Sequence, residues 1–203
     1  MRLTLVLIAA LALTGCGTDA DDAAAPTPVT VTVIETQTQT ETVTPEPEPD
    51  CSTAGVRRTL PEQDLPDAVA EVREAVFAAA LACDYEELER LALERGEGFT
   101  FSYGGDTSAA DHWRELEENG IEEPMRVLVT ILSLPYTRNE TGSYAWPTAY
   151  DESPSEADWQ ALVDAGLHTQ EEVDLMKEQG TGYLGYRTAI TADGDWQFFV
   201  AGD

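Results

Sequence analysis

The stretch that decides the fold class lies near the end of the chain: YLGYRTAI at residues 183–190, TADG at 191–194 and WQFFV at 196–200. Its two outer segments are rich in aromatic and β-branched residues, which favour strands. Between them, Asp193 followed by Gly194 is typical of a tight hairpin turn, where glycine supplies the positive φ that the turn needs. The sequence therefore predicts a C-terminal β-hairpin.

Two helices are predicted at the start of the domain. Between Leu65 and Cys83, apolar residues recur every three or four positions, which predicts an amphipathic helix with Arg73 on its polar face. Asp84 and Glu87 then match the capping-box pattern for the start of a second helix. The short connection predicts that the two helices run antiparallel.

Three further helices are predicted from local signals. One covers about 107–118 and ends before a glycine, the residue that most often terminates helices. Two shorter helices begin at Ser155 and Thr169, because each is followed three positions later by an acid, Asp158 and Glu172.

The remaining segments predict short strands and one ambiguous element. FTFSY at 99–103 alternates apolar and polar residues and SYAW at 143–146 is short and aromatic, so both are predicted as strands. PMRVLVTILSL at 124–134 is almost continuously apolar. Its β-branched residues favour a strand, whereas a proline at each end favours a buried helix. We expect the helix and leave the strand open.

These elements predict an α+β domain with a small antiparallel sheet, a C-terminal β-hairpin and several packing helices. The domain is predicted to span 51–203, and a chain of that length buries enough surface for a core of its own. Apolar residues make up 42% of the whole sequence, which agrees with a folded domain.

The N-terminus predicts export. Met1 and Arg2 precede a short apolar run that ends in LTGC at 13–16, a pattern typical of a secretory signal peptide. The run is far shorter than the ~20 apolar residues that span a bilayer. Because it ends at Cys16, it resembles the lipobox of bacterial lipoproteins. That resemblance implies removal of residues 1–15, diacylation of the Cys16 thiol and attachment to the outer face of the cell membrane.

Residues 16–50 are predicted to form a disordered tether, because their Thr-, Pro- and Glu-rich composition cannot bury enough apolar surface to fold. With Cys16 assigned to lipid, Cys51 and Cys83 remain, and outside the reducing cytosol a disulfide between them persists. We predict that bridge. Closing a loop of this size is worth about 3.7 kcal/mol in the chain-entropy model.

The charge is strongly acidic. The chain carries 11 basic and 39 acidic residues, net −28, and residues 51–203 carry ten and 31 of these, net −21. Such a balance excludes nucleic acid as a partner, because its binding requires a basic surface. It also argues against docking of the domain on anionic lipids.

Catalytic motifs are missing from the sequence: there is no nucleophile elbow, phosphate-binding loop or zincin motif. The two histidines, His112 and His168, are interpreted as packing and loop residues, and no metal site or cofactor is predicted. Aromatic and acidic residues adjoin in two predicted loops, where they would stack on sugar or hold a cation. This predicted ligand surface consists of Tyr103, Asp106, Tyr144, Trp146, Tyr150 and Asp151.

One further resemblance concerns the start of the domain. The predicted helix pair, with DYE at 84–86 and FTF at 99–101, resembles the opening of nuclear-transport-factor-2-like domains over residues 65–103. The helices predicted after Tyr103 depart from that family's cone-shaped pattern. The last eleven residues, 193–203, are similar to the ends of uncharacterised bacterial secreted proteins, a resemblance that implies no activity.

The sequence leaves three functions open. The first is a non-enzymatic, lipid-anchored module that binds an extracytoplasmic protein or ligand. The second is a cell-envelope hydrolase with a carboxylate pair near Tyr103, Asp106 and Trp146. The third is a cation-binding acidic lipoprotein. The first is favoured because motifs for the others are missing.

Overall fold

A computed structural model describes residues 51–94, 98–104 and 107–202, all within a compact unit, Pro45–Asp203. The predicted tether, Cys16 and Asp106 lie outside the described residues. The part described contains six α-helices, four strands and a short 3-10 helix, Thr148–Tyr150. The helices are α1 Asp67–Ala82, α2 Tyr85–Leu93, α3 Ala109–Glu118, α4 Pro124–Leu132, α5 Glu156–Asp164 and α6 Gln170–Gln179; the strands are β1 Thr137–Arg138, β2 Tyr144–Trp146, β3 Arg187–Ile190 and β4 Trp196–Val200.

The strands form one antiparallel sheet in the order β1-β2-β3-β4, which confirms the predicted α+β class. The C-terminal hairpin is also confirmed: β3 and β4 pair from Arg187 opposite Val200. Gly194 has a φ of 82°, and its N–H donates to the Thr191 carbonyl at 2.9 Å. The first strand of the hairpin is shorter than predicted. The predicted strand begins at Tyr183, whereas β3 begins at Arg187, and the buried Tyr183 packs in the cluster of the last two helices.

The strand predicted at 99–103 is wrong. This segment makes one isolated parallel bridge, between Thr100 and Phe198 of β4. Gly98, with a φ of 99°, turns the chain immediately before it. The alternating aromatic side chains pack against the core instead. The ring centroids of Phe99 and Phe101 lie 6.1 and 6.3 Å from that of Trp113.

The ambiguous run at 124–134 is helical. Pro124 occupies the first turn of α4, where its missing N–H costs no hydrogen bond. The helix is buried on more than one side, and Met125, Leu128 and Leu132 are all fully buried. Near-continuous apolarity therefore reflects burial rather than a strand.

The predicted helix caps are confirmed, with one difference. Both Ser155 and Thr169 form complete capping boxes with the acids three residues later. The Asp84 carboxylate accepts the Glu87 N–H at 3.0 Å, but the Glu87 carboxylate binds Arg90 instead of returning to the cap. The box at α2 is therefore only half formed.

Arg73 was placed on the polar face of α1, and that prediction is wrong. Its side chain is 4% exposed and donates to the carbonyl of Leu132 at 2.8 Å and to that of Pro61 at 3.3 Å. The Leu132 carbonyl belongs to the last turn of α4, where carbonyls lack helical partners and carry partial negative charge. Arg73 therefore caps α4 from inside the protein, and burial lowers its pKa.

Two clusters of buried side chains divide the described domain. The body comprises α1–α4 and the sheet around one large core, which contains Trp113, Trp146, Trp196 and Phe199. The α5–α6 lobe comprises those two helices, the 3-10 helix and Tyr183 around a smaller core. Leu167 packs against both cores, so it joins the lobe to the body.

Candidate functional site

The N-terminal end of the described domain is fixed to the body by a disulfide. Cys51 and Cys83 are bonded, with their Cα atoms 6.4 Å apart, which confirms the predicted pairing. Cys83 is the C-cap of α1 and adopts a φ of 57°, so the bridge holds the chain at the end of α1.

A hydrogen-bond network reinforces the same corner. The Glu117 carboxylate accepts from the hydroxyl of Ser52 at 2.6 Å, from its N–H at 3.2 Å and from the N–H of Met125 at 3.0 Å. Met125 lies in the first turn of α4, whose free N–H groups favour a carboxylate. Tyr85 donates to the same carboxylate, and burial together with Glu117 raises the tyrosine pKa. The residue after Cys51 is thus tied to α3 and α4.

Part of the predicted ligand surface is buried. Trp146 is fully buried in the main core, and its indole N–H donates to Gln63 at 3.2 Å. Tyr144 is 8% exposed and packs against Tyr136, with ring centroids 5.4 Å apart. Trp146 therefore has no surface to offer a ligand, and Tyr144 has little.

Two other members of the predicted surface meet at a buried arginine. The Arg187 guanidinium lies 5.1 Å from the centre of the Tyr150 ring and donates to the Tyr103 hydroxyl at 3.3 Å. Arg187 also donates to the carbonyl of Gly202 and is 7% exposed. Tyr103 is 69% exposed. Arg187, which the sequence did not single out, thus joins two aromatics that are far apart in the chain.

Tyr150 and Asp151 also line a polar concavity of about 500 Å³, the turn pocket, formed by residues 137–141 and 150–152. The Asp151 carboxylate accepts from the Thr137 hydroxyl at 2.6 Å and from the Ser153 N–H at 3.0 Å. These bonds lower the Asp151 pKa, so the group is an ionised acceptor. The Asp151 oxygens thus already hold β1 and the turn that follows Asp151, which leaves them less available to a ligand.

A larger concavity lies between the body and the lobe. This helical groove has a volume of about 600 Å³. It is formed by residues 55–57, by one face of α4 with its flanking residues Glu123, Ser133 and Leu134, and by residues 161 and 164–167 of the lobe. Its size falls within the range typical of ligand sites. Half-buried apolar side chains line it, among them Val127 and Leu167.

The helical groove is lined by equal numbers of basic and acidic residues, whereas the domain as a whole is strongly acidic. Arg57 and Arg126 lie at its edge, together with Glu123 and Asp164. Arg126 is 3.2 Å from the Glu123 carboxylate, whereas Arg57 has no ion-pair or hydrogen-bond partner within the described ranges. In a domain of net −21, an arginine that finds no internal acid is available to an external one.

The histidines have packing roles. The ring of His112 lies 5.5 Å from that of Phe101. His168 packs edge-on against Tyr183, with ring centroids 5.6 Å apart, and its Nδ1 lies 3.7 Å from the Glu172 carboxylate. Burial lowers the His168 pKa, partly offset by Glu172. Within 51–94, 98–104 and 107–202, no group of three or more His, Cys, Asp or Glu residues is arranged to hold a metal ion.

The helical groove was missed by sequence reasoning because its three walls are far apart in the chain. One available signal was the adjacent pair Arg57 and Arg58 in an acid-rich sequence.

No helix in the described part of the chain is long and apolar enough to cross a membrane. Comparison with family models, curated proteins and solved structures finds no match for this chain.

Proposed function

We propose that the chain is a lipid-anchored extracytoplasmic lipoprotein whose domain at 51–203 is a non-enzymatic binding module. In this proposal, residues 1–15 are removed and Cys16 carries two acyl chains, which give stable membrane attachment where one chain gives only marginal binding. Residues 16–50 form the tether. The resemblance to the lipobox supports the anchor, and the doubly fixed corner at Cys51 and Ser52 suits the end of a tether.

The observation that carries the binding role is the helical groove. It combines half-buried apolar side chains with Arg57, which has no partner among the described residues. Binding sites typically pair an apolar lining with a few polar groups that orient the ligand. The walls come from both the body and the lobe, and clefts between packed units are common positions for ligand sites.

The hydrolase alternative receives less support from the geometry. Catalytic carboxylate pairs need one acid with a raised pKa and one that stays ionised. Within the described residues, which exclude Asp106, the carboxylates with shifted pKa values are Glu87, Asp151 and Glu172, and all three are shifted downward by hydrogen bonds or ion pairs. Trp146, placed beside the hydrolase site in the sequence-based hypothesis, is fully buried.

The proposal is tested in native membranes with a photo-crosslinking residue in place of Thr130, in the helical groove. We expect a discrete adduct with a binding partner, because a bound ligand would lie against this face of α4. The matched control places the same residue at Leu175, which is 50% exposed on α6, away from the groove. Mass spectrometry of the same preparation should find a chain that begins at Cys16 and carries diacylglycerol.

Two results would contradict the proposal. A product that begins elsewhere, or that lacks acyl mass at Cys16, overturns the anchor. Equal labelling patterns from positions 130 and 175, or no adduct from either, overturn the binding role of the groove.

A further inference from the structure

We infer that the helical groove binds an extended peptide segment of a partner protein, in which apolar side chains are flanked by carboxylates. This inference rests on the proposed binding function and names the chemistry of its ligand. It follows from the charges at the edge of the groove, its lining, its length and the charge of the surrounding domain.

The charges favour an anionic group at one end of the ligand. Arg57 has no partner within the described residues, and the same holds for its exposed neighbour Arg58. By contrast, the described arginines of α2, α3 and α4 each bind acids of this chain: Arg90 binds Glu87, for example, and Arg126 binds Glu123. A guanidinium fork pairs well with a carboxylate. Arg57, which lines the groove, therefore marks the end where an external carboxylate is stabilised.

The lining of the groove favours a ligand that carries apolar side chains and backbone N–H groups. Val56, Val127 and Leu134 are half-buried beside the groove, so covering them removes further apolar surface from water. The hydroxyls of Thr130 and Ser133 donate to carbonyls one turn earlier in α4, at 2.7 and 2.9 Å. Their hydrogens are thus used internally, and the oxygens keep lone pairs that accept from a ligand N–H. A peptide supplies such donors, whereas a fatty acid does not.

The length of the groove fits a short extended segment. Helix α4 and the residues at its two ends, from Glu123 to Leu134, span about 16 Å when the helical rise per residue is applied throughout. An extended peptide advances about 3.3 Å per residue, so roughly five residues cover this face.

The charge of the surrounding domain selects a protein partner over a membrane. Residues 51–203 carry net −21, which opposes approach to anionic lipid surfaces. A peptide places only one or two carboxylates beside Arg57 and Arg126, without bringing a whole negative surface close to the domain.

The inference is tested by titrating the isotope-labelled full chain with the blocked peptide acetyl-EVLVE-amide and recording backbone amide shifts. We expect shifts confined to residues 55–57, 126–134 and 161–167. The matched peptide acetyl-QVLVQ-amide should bind about two- to fivefold more weakly, the effect of losing exposed ion pairs. Arg57→Gln should reduce binding of the acidic peptide to that of its glutamine counterpart. Arg90→Gln, on α2, should change neither.

Several outcomes would overturn the inference. Equal binding of the acidic and glutamine peptides, tighter binding of acetyl-KVLVK-amide, or shifts outside the groove all do so. Phosphatidylglycerol vesicles that shift the same amides would identify a lipid surface instead. If the Thr130 adduct persists in native membranes while these peptides fail, only the ligand class is wrong. Loss of both overturns the binding function itself.

Discussion

The body and the α5–α6 lobe are held together by different means. The body buries three tryptophans and Phe199 in one core, carries the disulfide and caps α4 with the buried Arg73. The lobe has only six buried side chains in its own cluster: Ala149, Trp159, Leu162, Val173, Met176 and Tyr183. The body therefore depends on contacts between distant residues, and the lobe depends more on local interactions.

This difference predicts which part of the molecule unfolds locally first. Local stability falls where few apolar side chains are buried and where hydrogen bonds are exposed. In the lobe, both capping boxes lie at the surface, and the side chain of Leu175 is half exposed. We therefore expect the lobe to open without unfolding of the body. Such opening would change the helical groove, because the lobe forms one of its walls.

The largest effect is expected at the disulfide of the body. Replacing Cys51 and Cys83 with serine should lower the free energy of unfolding by about 3.7 kcal/mol, because the denatured chain regains the entropy of an open loop. Urea denaturation of the full chain measures this change, and thiol labelling before reduction should find neither cysteine reactive. An unchanged midpoint, or ready labelling of both thiols, would show that the bridge does not stabilise the body.

A smaller effect, confined to the lobe, is expected at Gly185. A Cβ added there would lie 2.7 Å from the His168 Nε2 atom and would also overlap the Tyr183 hydroxyl. Gly185→Ala should therefore cost about 1–3 kcal/mol, as overpacking does. Hydrogen exchange should accelerate in α5 and α6 and stay unchanged in α1. The control is Leu184→Ala, next in the chain. Equal acceleration in α1 would mean that lobe and body form one cooperative unit.

The smallest effect is expected at the cap of α6. Thr169→Ala removes the acceptor for the Glu172 N–H and should cost about 1 kcal/mol. Hydrogen exchange at Val173 and Met176 measures the loss, with Gln170→Ala as the control on the adjacent, exposed position. If both variants accelerate exchange equally, the caps contribute little to the lobe, and its core must carry more of its stability.

Most helices were predictable because their ends are encoded locally. Ser155, Thr169 and Asp84 each cap a helix through their own side chain, and the acids that follow lie only three residues away. The hairpin was predictable for the same reason, since the turn at Gly194 depends on neighbouring residues.

The wrong predictions concern residues whose environment is set by contacts with residues distant in the chain. Arg73 matches a polar helix face in the sequence, but the carbonyls it binds are contributed by Pro61 and Leu132. Residues 99–103 have a strand pattern, yet their aromatic rings pack around Trp113 and only Thr100 reaches the sheet. The predicted ligand surface fails as one site for the same reason, because Trp146 lies in the core.

The sequence by itself determined the α+β class, the helix caps, the hairpin and the disulfide partners. It also supplied the lipobox-like LTGC at 13–16, which stays a prediction. Tertiary structure alone decided that Arg73 is buried, that Arg187 joins Tyr103 to Tyr150, and that a groove exists between α4 and the lobe. Local signals act over three or four residues, whereas a groove requires walls that only packing of the whole domain brings together.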